Sequence, residues 1–551
     1  MSKPGAEVVV RRLVSRDTVR TEADVQADIY ALLTGSLNLQ PDQVVRLEVP
    51  TGDGTRRRLD VAVGHCVIEV KKDLRPGGIR RDAEIQLAGY VVDRTALHQR
   101  RYVGVLTDGT EWVLYDLRDD ELVPVATLFA NAADPERLLD WLEAILATES
   151  GVTPTPEEID QRLGAASPAH LLDHAALKAL YDKGQDLPEV RMKRTLWARL
   201  LRTAFGSAFR NDDSTFIDHT LLVMTAEVIA HAVVGIDVSG ASDITPTALI
   251  SGSAFEDSQI RGVVEADFFD WLLNVDGGEA FIRTLADRIS RFDWSHVEHD
   301  VLKHLYESVI TAEDRASLGE YYTPDWLADR MIDATVSDPL NQRVLDPSCG
   351  SGTFVFHAAR AFLAAAEAAA MPTGEAVAQL TTRVIGMEIH PVAVTLARVT
   401  YLLAIGSERL SAPDRPAFSV PVYLGDSLQW EQNKDLFRSD DHVSISTTTD
   451  ELTGEGGGGL YGAENLVFPR SVLHDAGAFD RLVSEMADKA LDTSKSLDRT
   501  LVDPILRRHG IDDADRQTLR ETFSVMPLLA RTGRNHIWGY YARNLDRKSV
   551  V

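Results

Sequence analysis

Cysteine is nearly missing: Cys66 and Cys349 are the only two in 551 residues. Two thiols so far apart exclude a disulfide framework and point to a reduced, cytoplasmic compartment. Long apolar runs are missing as well. No window holds the ~18 or more uncharged apolar residues of a membrane-crossing helix, so no membrane partner is expected. The N-terminus, MSKPGAEVVVRRLV, lacks the apolar core and small-residue cleavage site of a secretory signal. Positive charge is scarce: 57 Lys and Arg stand against 84 Asp and Glu, a formal net charge of −27. That balance argues against a generic nucleic-acid binder. It leaves room for a DNA enzyme, because local charge decides backbone contact. Finally, no Pro-Pro and no Asn-Pro pair occurs anywhere in the chain.

What is present is ordinary for a globular protein, with 44% hydrophobic and 26% charged residues. The length suggests about three or four domains. One stretch, 53–101, is locally basic. Arg56, Arg57, Arg58, Lys71, Lys72, Arg75, Arg80, Arg81, Arg94, Arg100 and Arg101 outnumber seven acids there. A solvated surface and a DNA-backbone contact explain this equally well.

The first ~145 residues mix helix and strand. EADVQADIYALL has helical spacing, whereas VVRLEVP, RRLDVAV and CVIEVKK read as strands, the last two joined at Gly64-His65. Residues 84–92 read as helix, and RYVGVLTDGTEWVLYDL reads as a hairpin turning at Asp108-Gly109. ESGVTPTPEEID breaks the pattern as a linker. Residues 160–310 carry apolar stripes at helical spacing, which helix packing explains. From 311 onward strand and helix alternate: RVLD, then SGTFVFHAARAFLAAAEAAA, RVIGMEI, PVAVTLARVTYLLAI and FSVPVYLGD. Such alternation predicts a parallel, doubly wound sheet. SISTTTDELTGEGGGG at 445–460 predicts a mobile loop.

A ligand in such a sheet sits beyond the carboxyl ends of its strands. Distinctive residues stand at all three ends. The first is Asp346-Pro347-Ser348-Cys349-Gly350-Ser351-Gly352, whose glycines allow a tight turn and close backbone approach. The second is Glu388, 42 positions beyond Asp346 and suited to accept both ribose hydroxyls. The third is Asp426, placed to accept from an adenine amino group.

DPSCGSGTF resembles motif I of the N6-adenine DNA methyltransferases. Gly319-Glu320-Tyr321-Tyr322-Thr323-Pro324 resembles motif X of the same family, GMEIHP resembles motif II and GDSL resembles motif III. DVLKHLYESVI resembles the usual lead-in to motif X. Motif X ahead of motif I is the gamma-class order. The resemblance implies S-adenosylmethionine as cofactor and double-stranded DNA as partner. It implies that Tyr322, Thr323 and Pro324 line the methionine pocket. Pro347, Gly350 and Gly352 would shape the loop that admits the cofactor, and Asp346 would hold its amino group through that loop. Glu388 would take the ribose and Asp426 the adenine, with Cys349 as a small packing residue.

The family's catalytic motif IV, Asn/Asp-Pro-Pro-aromatic, polarises the exocyclic amine of a flipped-out adenine. The chain has no such motif. NHIWGYYARNLDR at 535–547 resembles the segment that shortly precedes motif IV in large fused members. The expectation is that the chain is the front part of a longer enzyme, and that it methylates weakly or not at all alone.

RRLDVAVGHCVIEVKK places Asp60 on one strand of a short hairpin and Glu69 and Lys71 on the next. Two carboxylates there can bind Mg2+, which stabilises phosphoryl charge and activates water, while the lysine supports the transition state. This arrangement resembles the PD-(D/E)XK nuclease core. Gln86 and Tyr90 match the Gln-X-X-X-Tyr element of type I restriction subunits, whose N-terminal domain VLTDGTEWVLYDL also resembles. Glu22 is a candidate for an additional acid.

The expected fold class is therefore α/β. A PD-(D/E)XK nuclease-like domain occupies 1–148, a helical spacer 149–310, and an incomplete Rossmann-like methyltransferase domain 311–551. This order resembles the fused type IIG restriction–modification enzymes. Two alternatives remain: a phage-defence methyltransferase whose first module binds DNA without cutting, and a non-catalytic cofactor- or DNA-binding protein. No motif specifies the oligomeric state or the DNA recognition site.

Overall fold

The computed structural model describes residues 5–425 apart from 16–19, 41–42, 51–57, 99, 119–120, 206–208, 240–241, 265–267, 296, 298 and 319–321. Beyond these it describes 442–446, 465–473 and parts of 478–531. The chain is mixed α/β and forms two compact units. Unit 1 comprises residues 1–184, 237–246 and 275–312; unit 2 comprises the remainder. Residues 149–310, read from sequence as one helical spacer, are thus divided between the two.

Unit 1 begins with helices α1 (Ala6–Val14) and α2 (Glu22–Ser36). Thr21 caps α2 reciprocally: its hydroxyl accepts from the Asp24 N–H, and the Asp24 carboxylate accepts from the Thr21 N–H. Val25, Ile29, Leu32 and Leu33 form the buried face of α2. Six strands follow: β1 (Arg46–Pro50), β2 (Arg58–Val63), β3 (Cys66–Val70), β4 (Val103–Thr107), β5 (Glu111–Arg118) and β6 (Glu121–Phe129). They lie in one sheet in chain order, antiparallel except for the parallel β3–β4 pair. That exception follows from α3 (Gly77–His98), the crossover between those two strands.

Alternation along the strands splits the core. Val61, Ile68, Val70 and Val105 join one cluster with α1, α2 and the helix Pro135–Leu146. Val67, Leu106 and Val113 join another with Leu87 and Tyr90 of α3. Leu59, beside Asp60, also belongs to this second cluster. The expected turn at Asp108-Gly109 is present, with Gly109 at φ 84° and the Asp108 carboxylate accepting from Thr110 and Glu111. Strand β6 had no sequence signal. It is a sheet edge, and Pro124 interrupts its pattern as edge strands allow.

Unit 2 contains helices α4 (Pro188–Phe205) and α5 (Asp213–Val234). Asp212 caps the start of α5, and Gly235 in the left-handed region ends it. By length and hydropathy α5 could cross a membrane, but 83% of its most apolar window is buried. It packs on the helix Pro391–Ile405, of which every residue is buried, so its apolarity is that of a core helix.

Among the described residues the strands of unit 2 are β7 (Ile260–Arg261), β8 (Val344–Asp346), β9 (Val384–Glu388), β10 (Phe418–Ser419), β11 (Val422–Leu424), β12 (His442–Ser446) and β13 (Asn465–Pro469). β8, β9 and β11 form a parallel sheet in the order β11-β9-β8. The helices Thr353–Ala368 and Thr373–Arg383 connect β8 to β9, and Pro391–Ile405 lies between β9 and β11. FSVPVYLGD, read as one strand, is two. β10 pairs with β7, whereas β11 pairs with β9. Pro421 lies at the break; it has no N–H to donate, and its carbonyl accepts from the Gly386 N–H. Residues 445–446, placed in a loop by the sequence reading, end β12, which pairs with β13 in an antiparallel hairpin. The rest of that stretch lies outside the described residues.

Candidate functional site

In unit 2 the glycine-rich turn leaves the carboxyl end of β8 and enters the helix Thr353–Ala368. Gly350 and Gly352 have φ of 55° and 98°, a region that β-carbons disfavour. A Cβ on Gly352 would stand 3.1 Å from the Ala397 Cα, so the turn lies hard against the helix Pro391–Ile405. At Gly350 a Cβ would meet only the Tyr322 ring, 3.6 Å away. The turn and Tyr322 are therefore neighbours.

Glu388 ends β9 and organises this turn. One carboxylate oxygen accepts from the Gly350 N–H at 2.8 Å. The other accepts from the N–H groups of Ile389 (2.8 Å) and His390 (2.9 Å). Its backbone carbonyl accepts from Gly425, at the end of β11. A carboxylate offers roughly four acceptor positions, so three backbone bonds leave room for a ligand hydroxyl. Asp346 uses one oxygen to accept from the Ser348 N–H at 3.1 Å. Its other oxygen is buried with no hydrogen-bond partner, and burial raises the carboxyl above its ordinary range. A ligand amino group would satisfy that oxygen, which fits the donor set expected for S-adenosylmethionine. Pro347 is exposed on the turn, and Thr323 and Pro324 lead into the helix Asp325–Thr335. Cys349 is buried against Gly386, and burial pushes its thiol far up, which suits packing and not nucleophilic attack. Asp426, Gly319–Tyr321 and the segment 535–547 lie outside the described residues.

In unit 1 the β2–β3 register runs from Val61↔Ile68 to Val63↔Cys66, and Asp60 and Glu69 are the residues just beyond its outer pair. Asp60 accepts from the Val70 N–H at 2.8 Å. Burial raises its carboxyl, with that hydrogen bond opposing. Glu69 is fully buried. One of its oxygens accepts from the Lys71 ammonium at 2.5 Å, and the other has no hydrogen-bond partner. Burial, then the charge of Asp60, pushes Glu69 up to about 8. Lys71 also lies 3.7 Å from Glu22, at the start of α2, so the weakest sequence candidate joins the site.

Gln86 and Tyr90 form a linked pair. The Gln86 amide donates to the Tyr90 hydroxyl at 2.7 Å, which donates to the Arg58 carbonyl at 3.0 Å. They brace β2 two residues before Asp60. Sequence reasoning missed Gln26, which donates to the Asp60 carbonyl at 2.7 Å; it stands one helical turn after Glu22 on α2. It also missed His390, whose ring caps the helix Pro391–Ile405. Among the described residues no group of three or more His, Cys, Asp or Glu is arranged to hold a metal ion. The unpartnered oxygen of Glu69, whose carboxyl is raised in part by the charge of Asp60, is the feature that fits a cation.

Residues 297–434 match the family described as N-6 DNA Methylase. No curated protein matches the chain. Among solved structures, the chain is similar to a cryoEM structure of a DrdV-DNA complex, at 15% identity and TM-score 0.29, over 78% of this chain and 40% of that one. It is similar to the ATP-dependent Type ISP restriction-modification enzyme LlaBIII bound to DNA, at 12% identity and TM-score 0.30, over 49% and 18%. It is also similar to the type IIG restriction endonuclease BpuSI, at 12% identity and TM-score 0.25, over 74% and 41%. The chain thus spans less than half the length of each.

Proposed function

We propose that unit 2 is the methyl-donor site of an N6-adenine DNA methyltransferase in a restriction–modification system. The observation that carries this is the left-handed glycine turn at the end of β8, tied to Glu388 at the end of β9 within the N-6 DNA Methylase region. S-adenosyl-L-methionine, when bound, supplies an electrophilic methyl group. Tyr322, Thr323 and Pro324 would border its methionine end. Asp346 would accept from its amino group, Glu388 from a ribose hydroxyl and Asp426 from its adenine. Gly350, where a Cβ would meet only the Tyr322 ring, would keep a side chain out of its path, and Gly352 lets the turn pack against the helix Pro391–Ile405. The 551 residues contain no Asn/Asp-Pro-Pro-aromatic segment to hold a target adenine. Methyl transfer by this chain alone is therefore expected to be weak.

Unit 1 in this proposal is a nuclease-like module acting on double-stranded DNA. Asp60 and Glu69 would hold Mg2+, which supplies charge neutralisation at the phosphoryl group. Lys71 donates a positive charge beside it, and Gln86 and Tyr90 hold the strand that carries Asp60. A second reading is a module that grips DNA without cutting. It is favoured by the lack of a third metal ligand among the described residues. The test is a paired assay on duplex DNA, with methyl-labelled cofactor for transfer and Mg2+ for cleavage. Magnesium-dependent cutting that Glu69→Ala abolishes supports the nuclease. DNA binding with no cutting supports the second reading. Strong adenine methylation by the 551-residue chain overturns the expectation that it lacks a base-holding segment.

A further inference from the structure

Beneath Glu388 lies a buried column of aromatic and imidazole rings that the proposed chemistry does not use. Trp197 on α4 donates its indole N–H to Nδ1 of His219 on α5, at 3.2 Å. Accepting there places the ring proton of neutral His219 on Nε2. The His219 ring meets the His390 ring edge to face, with centroids 5.1 Å apart and planes at 79°. His390 is the residue whose N–H binds Glu388, and its own ring accepts from the Ala393 N–H at 3.4 Å. Trp197, His219 and His390 are each at most 1% exposed. Burial lowers His390 to about 4 and holds His219 well below its ordinary range, so both rings are neutral near pH 7.

We propose that His219 is a positioning residue for methyl-donor binding, acting through its stack on His390 to fix the β9–helix junction that aims Glu388. The inference rests on Glu388 being the cofactor carboxylate. At that junction His390 makes a backbone bond to Glu388 and a ring bond to the next helix, and its ring also meets Phe205 at the end of α4, with centroids 5.5 Å apart. The ring bond is long, so the packing of His219, the nearer of the two rings, together with Phe205 sets where the imidazole sits. His219 is in turn set by the indole N–H, a directional contact that an apolar side chain cannot reproduce. Helices α4 and α5, read from sequence as part of a spacer, thereby become a wall of the cofactor site.

The test is calorimetric titration of S-adenosyl-L-methionine into the full chain, with thermal melts of each variant. His219→Leu is expected to weaken binding about tenfold, the scale on which small misplacements of a binding group act. His219→Gln keeps a side-chain acceptor and is expected to bind within about twofold of wild type. His231→Leu is the control. His231 is equally buried on the same helix, but its neighbour is Phe255. It is expected to lower the melting temperature and leave affinity unchanged. If His219→Leu does not fold, Trp197→Phe, which removes the anchoring N–H, is expected to weaken binding about threefold. Unchanged affinity in the folded His219 or Trp197 variant, or an equal loss at His231, overturns the inference. No binding by folded wild type overturns the assignment of Glu388 itself.

Discussion

Replacing Glu69 with glutamine removes a titratable carboxyl from a fully buried position, and the effect follows from its surroundings. An ordinary glutamate titrates near 4.5, but burial and Asp60 push Glu69 up to about 8. Below pH 4.5 both folded and unfolded chains hold the proton, and the side chain contributes no penalty. Between 4.5 and about 8 the unfolded chain releases a proton that the folded chain keeps, so stability falls as pH rises. Above 8 both states are ionised and the penalty is constant. At about 1.36 kcal/mol per pH unit, wild type loses about 4 kcal/mol between pH 5 and pH 8 relative to Glu69→Gln. The glutamine keeps the shape, and Lys71 retains Glu22 as an ionic neighbour. The assay is native-state hydrogen exchange on peptides spanning β2 and β3, in wild type and variant, with and without Mg2+. Wild type is expected to open more readily at pH 8 than the variant, and Mg2+ is expected to slow opening in wild type alone. A wild-type-to-variant difference that stays flat from pH 5 to 8 refutes the reasoning.

Other perturbations give separate outcomes. Gly352→Ala forces a β-carbon into a left-handed conformation and to 3.1 Å from the Ala397 backbone. A loss of about 2–3 kcal/mol from unit 2 is expected in urea unfolding. Tyr90→Phe leaves the Arg58 carbonyl and the Gln86 amide without their hydroxyl partner, and about 1–2 kcal/mol should be lost, read as faster exchange in β2. Glu388→Gln turns an amide donor toward a backbone N–H at Gly350 or at Ile389 and His390. Affinity for S-adenosyl-L-methionine should fall about 100-fold in calorimetry, with a smaller loss of stability.

The parts of this fold legible from sequence are those written in local chemistry. Apolar alternation marked β2, β3, β8 and β9, and the Asp108-Gly109 turn marked the β4–β5 hairpin. The proximity of the glycine turn, Tyr322 and Glu388 was legible because a motif encodes it. Asp60 and Glu69 were legible because a two-residue turn fixes the register of their hairpin. What failed depended on distant partners. Pro421 splits FSVPVYLGD because β10 finds β7, more than 150 residues upstream. The helices of 149–310 look alike as stripes, yet partner choice sends α5 to the helix Pro391–Ile405 and Val301–Val309 to Pro156–Leu163. The His219–His390 contact joins residues 171 apart, and neither carries a local signal of it. Glu22 and Gln26 stand four apart on α2, a one-face spacing that marks a helix surface but not what it meets.

On the proposed function, the turn 346–352, Tyr322 and Glu388 form a binding site for S-adenosyl-L-methionine. Ultraviolet crosslinking of methyl-labelled cofactor to the 551-residue chain, followed by peptide mapping, tests it most directly. Label is expected on peptides containing Tyr322 or the turn 346–352, suppressed by excess S-adenosylhomocysteine and by Glu388→Gln. Competable label confined to other peptides, or no competable label on a folded chain, would contradict it.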